Sequence, residues 1–153
     1  MRAYIAGPLF NPGERWFDEQ IEACAAQAGL ETFLPQRDTL ALLPPKPSYE
    51  MVFDADMQGL DGAEMVIANL NGITTDPGTA WEVGYAYAKG KHVIGILTDM
   101  RLTAIHTGRG TGRGGQGLMF ENQIANAMVQ FALDKVVFSL EELAHYLDDY
   151  LQT

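Results

Sequence analysis

The sequence predicts an α/β fold, a five-stranded parallel sheet between two layers of helices, and three observations predict it. Short β-rich runs alternate with amphipathic segments along the chain. The run from His92 to Leu97 is apolar enough to be a central strand, covered on both faces. Capping residues stand at the element junctions and give the helices defined starts. At 153 residues the chain suits one domain, 1–153, and a domain of this size buries roughly 70% of its unfolded surface.

The first strand is Tyr4-Ile5-Ala6, broken at Gly7-Pro8. Asn11 then caps a helix, with Pro12 in its first turn and Glu14 at the capping-box position. Its apolar face reads Phe17, Ile21, Ala25 and Ala28, and Gly29 ends it. Thr32-Phe33-Leu34 is the second strand. Residues 35 to 48 carry four prolines and read as a loop, followed by a helix from Tyr49 to Leu60. Met65 to Ala68 is the third strand, Pro77 to Gly90 a helix, and His92 to Leu97 the fourth strand. Residues 106 to 117 hold six glycines and no acid, and a flexible lid is the expectation there. Leu118 to Leu133 reads as a helix and Val136 to Phe138 as the fifth strand. Ser139 caps the last helix, with Glu142 at its third position. This succession suits a flavodoxin-like three-layer sandwich, whose ligands sit beyond the carboxyl ends of the strands. Those ends are the loops starting at Gly7, Leu70 and Thr98.

Composition narrows the function. Ten Lys and Arg face twenty Asp and Glu, a formal net charge of −10, and such a surface repels nucleic acid and anionic lipid. No apolar run approaches the ~20 residues of a membrane span, and the N-terminus lacks a signal peptide. Cys24 is the only cysteine, so no intrachain disulfide forms, and with His92, His106 and His145 it shows no metal-ligand spacing. The expectation is a cytoplasmic domain that works on a small molecule.

The most informative stretch runs from Asp76 to Ala86, DPGTAWEVGYA. Glu82 is the only charged residue between Pro77 and Ala88, among small and aromatic neighbours. An ionised carboxylate there costs free energy unless something offsets its desolvation, and the positive end of the helix dipole favours the ionised form. A carboxylate so placed suits a nucleophile. The plainer alternative is a Glu that snorkels to solvent or pairs with an Arg. Asp76, before Pro77, reads as an N-cap, and it also lies where the third strand ends, beside the expected ligand. For Asp56 the simplest reading is a solvated helix face, and for Tyr4 a core tyrosine. Arg101, Arg109 and Arg113 lie in or beside the glycine-rich stretch, but no Walker pattern or correctly placed dinucleotide fingerprint accompanies them.

Together, Tyr4 to Phe10 (YIAGPLF), the Asp56 helix and the DPGTAWEVGYA run resemble the nucleoside 2-deoxyribosyltransferase family, from the N-terminus to about Met128. The resemblance implies a flavodoxin-like homo-oligomer, a dimer or hexamer with shared active sites. It implies an enzyme that moves 2-deoxyribose between nucleobases without cofactor or metal. Deoxynucleosides and free nucleobases would be its partners. Residue by residue it casts Glu82 as nucleophile, Tyr4 as the hydroxyl that orients it, Asp56 as acid and base toward the nucleobase, and Asp76 as a sugar-hydroxyl ligand. An Asn from a neighbouring subunit would meet the sugar's 5-hydroxyl, Asn126 first and Asn122 second. Gly7 and Phe10 of the first loop are read as substrate-binding, and Gln36 as facing the base. A rival on the same fold is a deoxynucleoside 5-monophosphate N-glycosidase, a hydrolase, with the arginine-bearing loop in its favour. A rival of another class is a non-catalytic nucleotide-sensing module, which has no need of an isolated acid like Glu82.

Overall fold

A computed structural model describes residues 1–99 and 124–152. Five parallel strands, β1 (Arg2–Ala6), β2 (Glu31–Phe33), β3 (Met65–Asn69), β4 (His92–Ile96) and β5 (Lys135–Val137), form one sheet in the order β2-β1-β3-β4-β5. That is the doubly wound order whose strand direction of travel reverses beside β1 and β3. Helices α1 (Pro12–Gln27) and α6 (Leu140–Leu151) cover one face. On the other face lie α3 (Tyr49–Asp61), α4 (Pro77–Ala88) and the short α5 (Ala127–Gln130). The fold class read from the sequence is the one observed.

Strand alternation decides which side chains reach which layer. Ala3 and Ile5 of β1 pack with Ile21, Ala25 and Leu143 against α1 and α6. Tyr4 and Ala6 point the other way, toward α3 and α4. All five residues of β3 are buried, as a central parallel strand requires. Asn11 and Glu14 complete the capping box of α1, and Gly29 follows that helix at φ +93°, where a side chain would be strained.

Two expectations are corrected. The stretch 35–48 is not all loop, because Pro35–Leu42 is a helix, α2. Pro35 occupies its first position, where the missing N–H costs nothing, and the Asp38 carboxylate accepts the Leu34 N–H at 2.7 Å. The other three prolines, Pro44, Pro45 and Pro47, all come after the helix. The helix expected over 118–133 is not continuous in its described part. Asn126 accepts the Met128 N–H and starts a single turn, and the Gln130 carboxamide folds back to accept the Ile124 N–H at 2.9 Å. The glycine-rich stretch 106–117 and Asn122 lie outside the described residues.

Candidate active site

The site grows from Tyr4. In register it stands opposite Phe33 of β2 and Val66 of β3, on the α3–α4 side of the sheet. The Phe33 ring lies parallel to that of Tyr4, with centroids 5.5 Å apart and 9° between planes. Phe33 is itself held by α3: a methyl on Gly59 would fall 2.5 Å from its ring, so that position takes no side chain without displacing it. Fixed in this way, the Tyr4 hydroxyl donates to Oε1 of Glu82 at 2.6 Å.

Glu82 arrives on α4, whose start the Asp76 carboxylate fixes by accepting the Thr79 N–H at 3.0 Å. Gly78, Trp81 and Glu82 share one face of α4 by helical spacing, as Phe53, Asp56, Met57 and Leu60 do on α3. These seven residues line a cavity of about 330 Å³ between the two helices. Trp81 closes one side, edge-on to Phe53 at 6.0 Å and stacked on Tyr85 at 5.3 Å. Glu82 and Asp56 are therefore brought together, with Tyr4 bonded to the first of them.

The electrostatics follow from packing acids together out of water. Burial pushes the Glu82 carboxyl up to about 8. The Tyr4 hydrogen bond opposes this, whereas Asp56, Asp76 and Asp18 reinforce it. Desolvation also raises Asp56, against a lowering hydrogen bond from the Thr39 hydroxyl, and raises the Tyr4 phenol, which stays protonated. Burial at the carboxyl outweighs the helix-dipole effect expected from the sequence, so at neutral pH the Glu82–Asp56 pair retains a proton. Among the described residues Glu82 meets no arginine, and its hydrogen-bond partner is the neutral Tyr4 hydroxyl.

The other expected site residues are placed differently. Asp76 acts on Glu82 through its charge while capping α4. Gly7 lies against Asp18, where a methyl would come 2.4 Å from its Oδ1, and Asp18, buried and pushed up to about 7, accepts from the Asn69 amide at 2.7 Å. Phe10 is exposed on the same loop. Gln36 turns to α1, donating to the Arg15 carbonyl and to Glu19, both at 3.0 Å, and does not line the Glu82 cavity. Asn126 lines a separate groove of about 910 Å³ between α4 and α5, with Trp81 common to both spaces. Sequence reasoning missed Thr39, Phe33, Phe53 and Trp81. Helical spacing from Asp56 and Glu82 was the available signal for Phe53 and Trp81; for Thr39 the proline count hid the helix that carries it.

The doubly wound α/β sheet thus brings a tyrosine-bound carboxyl and a second acid into one cavity, an arrangement whose chemical elements suit acid–base and nucleophilic steps. A family model described as nucleoside 2-deoxyribosyltransferase matches residues 3–128, and the chain belongs to that family. No curated protein matches it by sequence. Among solved structures it resembles a 2-deoxyribosyltransferase from Bacillus psychrosaccharolyticus, at 21% identity and TM-score 0.73 over 95% of this chain and 92% of that one. It resembles a conserved protein of Enterococcus faecalis at 26% identity and TM-score 0.70, over 98% of each chain. A 2-desoxiribosyltransferase from Leishmania mexicana is similar at 24% identity and TM-score 0.69, over 96% of this chain and 97% of that one. Among the described residues no helix is long and apolar enough to cross a membrane.

Proposed function

We propose that the protein transfers 2-deoxyribose between nucleobases by a retaining double displacement through an ester on Glu82. The observation that carries this reading is the Tyr4–Glu82 hydrogen bond in a cavity shared with Asp56. Cleaving an N-glycosidic bond builds positive charge on the anomeric carbon, which a carboxylate beneath it stabilises. In the first half, Asp56 gives its proton to the departing base as the carbon–nitrogen bond breaks, and a Glu82 oxygen bonds the anomeric carbon. In the second half, the incoming base attacks that carbon, the ester bond breaks, and the base's proton passes to Asp56. The configuration is inverted twice and so retained. The active form is the pair carrying one proton, on Asp56, with Glu82 ionised and held by Tyr4. Asp76 takes a sugar hydroxyl. The residues do this chemistry themselves, with neither metal nor cofactor.

The cavity edge is made of exposed aromatic surface, and Asn126 stands in the neighbouring groove beside the exposed Met128 and Phe131. A second copy set against this face would bring its Asn126 toward the first copy's sugar site. Mixing inactive Glu82→Ala with inactive Asn126→Ala protein should then restore part of the activity through hybrid sites. No recovery after confirmed subunit exchange would assign Asn126 to its own chain or to no site.

Chromatography of the protein with deoxyinosine, with and without adenine, tests the activity. New deoxyadenosine establishes transfer; hypoxanthine alone indicates hydrolysis; no change refutes both. Substrates with a free 5-hydroxyl are expected over 5-monophosphates. Glu82, Asp56 and Asp76 crowd the site, and two unit charges about 4 Å apart at an effective dielectric near 20 repel by roughly 4 kcal/mol.

A further inference from the structure

We propose that Thr39 is a positioning residue for the acid–base step: its hydroxyl occupies Oδ1 of Asp56, leaving Oδ2 to exchange the proton with the nucleobase. The inference deepens the proposed function and rests on its assignment of Asp56. Thr39 is nearly fully buried, at 4% exposure, and among the described residues its hydroxyl makes one hydrogen bond, to Asp56 Oδ1. Asp56 is only half-buried and lines the cavity. One of its oxygens is therefore engaged from behind, and the carboxyl plane is fixed relative to the space where a base would lie.

The bond exists because α2 exists. Pro35 starts that helix and Asp38 ties its first turn, which brings position 39 against α3. The charged groups of α2 are spoken for: Arg37 bonds Asp38 at 2.8 Å and Glu22 of α1 at 3.0 Å. Among the described residues, the groups that bear on Asp56 from the other packed elements are Glu82 of α4 and Tyr4 of β1. Neither is a cation, so Thr39 is the neutral donor that steadies the ionised form of Asp56. A carboxyl free to rotate would present either oxygen, and a proton held on the wrong one reaches no base.

Replacing Thr39 by Val keeps the shape and removes the donor; Thr39→Ser restores it. In Thr39→Val the upper limb of the kcat/KM pH profile, where Asp56 loses the proton it must give, should rise by about one pH unit, the size of one charge-assisted hydrogen bond. Its kcat should fall about tenfold with KM changed less than about twofold. Thr39→Ser should recover both. Carbon-13 NMR titration of Asp56 without substrate should show the same upward shift, a readout independent of any activity. A Val variant with full rate, or with an unmoved Asp56 titration, overturns the proposal, as does a Ser variant that behaves like Val. If Asp56→Asn retains full activity, the acid–base assignment fails instead, while the titration still reports on the Thr39 bond. Should Thr39→Val not fold, Thr39→Ala carries the same titration.

Discussion

Two clusters of titratable side chains among the described residues stand toward opposite ends of the strands and are built on opposite principles. At the amino end of β4, His92 lies 3.3 Å from the Asp134 carboxylate through Nδ1 and 2.9 Å from the Tyr146 hydroxyl through Nε2. Its ring stacks on Tyr150 at 4.4 Å. Acid there meets base, and aromatic meets aromatic. Toward the carboxyl ends, Glu82 and Asp56 share a cavity with no cation among the described residues that line it, and the charge of Asp76 acts on Glu82. The first arrangement stabilises a fold. The second works against it, and like charges taken out of water together persist where chemistry uses them.

The largest effect that can break this contrast is on rate. Glu82→Ala should lower transfer by about 10⁴-fold or more, the scale of losing a nucleophile, whereas His92→Ala should change it less than about twofold. Steady-state kinetics on both variants checks this; comparable losses would remove the distinction between the clusters. Next comes Tyr4→Phe. Its hydroxyl lowers the Glu82 pKa, so removing it raises that value and leaves the pair's proton on Glu82 rather than Asp56. The rate should drop about ten- to a hundredfold, and the lower limb of the pH profile, where Glu82 must give up its proton to act as nucleophile, should move up.

The smallest effect is on stability, and its sign opposes the kinetic one. The Glu82 carboxyl is raised to about 8 in the fold from its ordinary value of 4.5. The folded state therefore binds more protons than the unfolded state across that interval, and stability falls as pH climbs through it. Glu82→Gln should melt higher than the parent at about pH 9 and close to it at about pH 4. His92→Ala should melt lower by the equivalent of about 1–3 kcal/mol, having lost its stack and leaving Asp134 and Tyr146 without their partner. Thermal melts across pH read both.

Much of this was legible in the sequence, for reasons that differ by element. β3 and β4 announce themselves as apolar runs, and α1 and α6 by capping boxes, because these signals are local. Glu82 stood out as one charge in an apolar helix. Residue patterns alone did not single out the partner that holds it, since Tyr4 is a hydrophobic-strand residue whose facing depends on register; the family resemblance named it. α2 was hidden because proline counts do not distinguish a first helical position from an interior one. The break before α5 depends on the Gln130 side chain folding back, which periodicity does not report. Thr39 needed α2 to be placed at all, so the most hidden site residue follows from the most hidden helix.

Covalent capture tests the central claim most directly. The protein is incubated with deoxyinosine and no acceptor base, quenched with acid, digested and examined by mass spectrometry, with Glu82→Ala alongside. The account predicts a deoxyribosyl adduct on the peptide containing Glu82, lost on adding adenine as deoxyadenosine appears, and absent from the variant. Transfer by a protein that never carries the sugar, or an adduct on another residue, would contradict it.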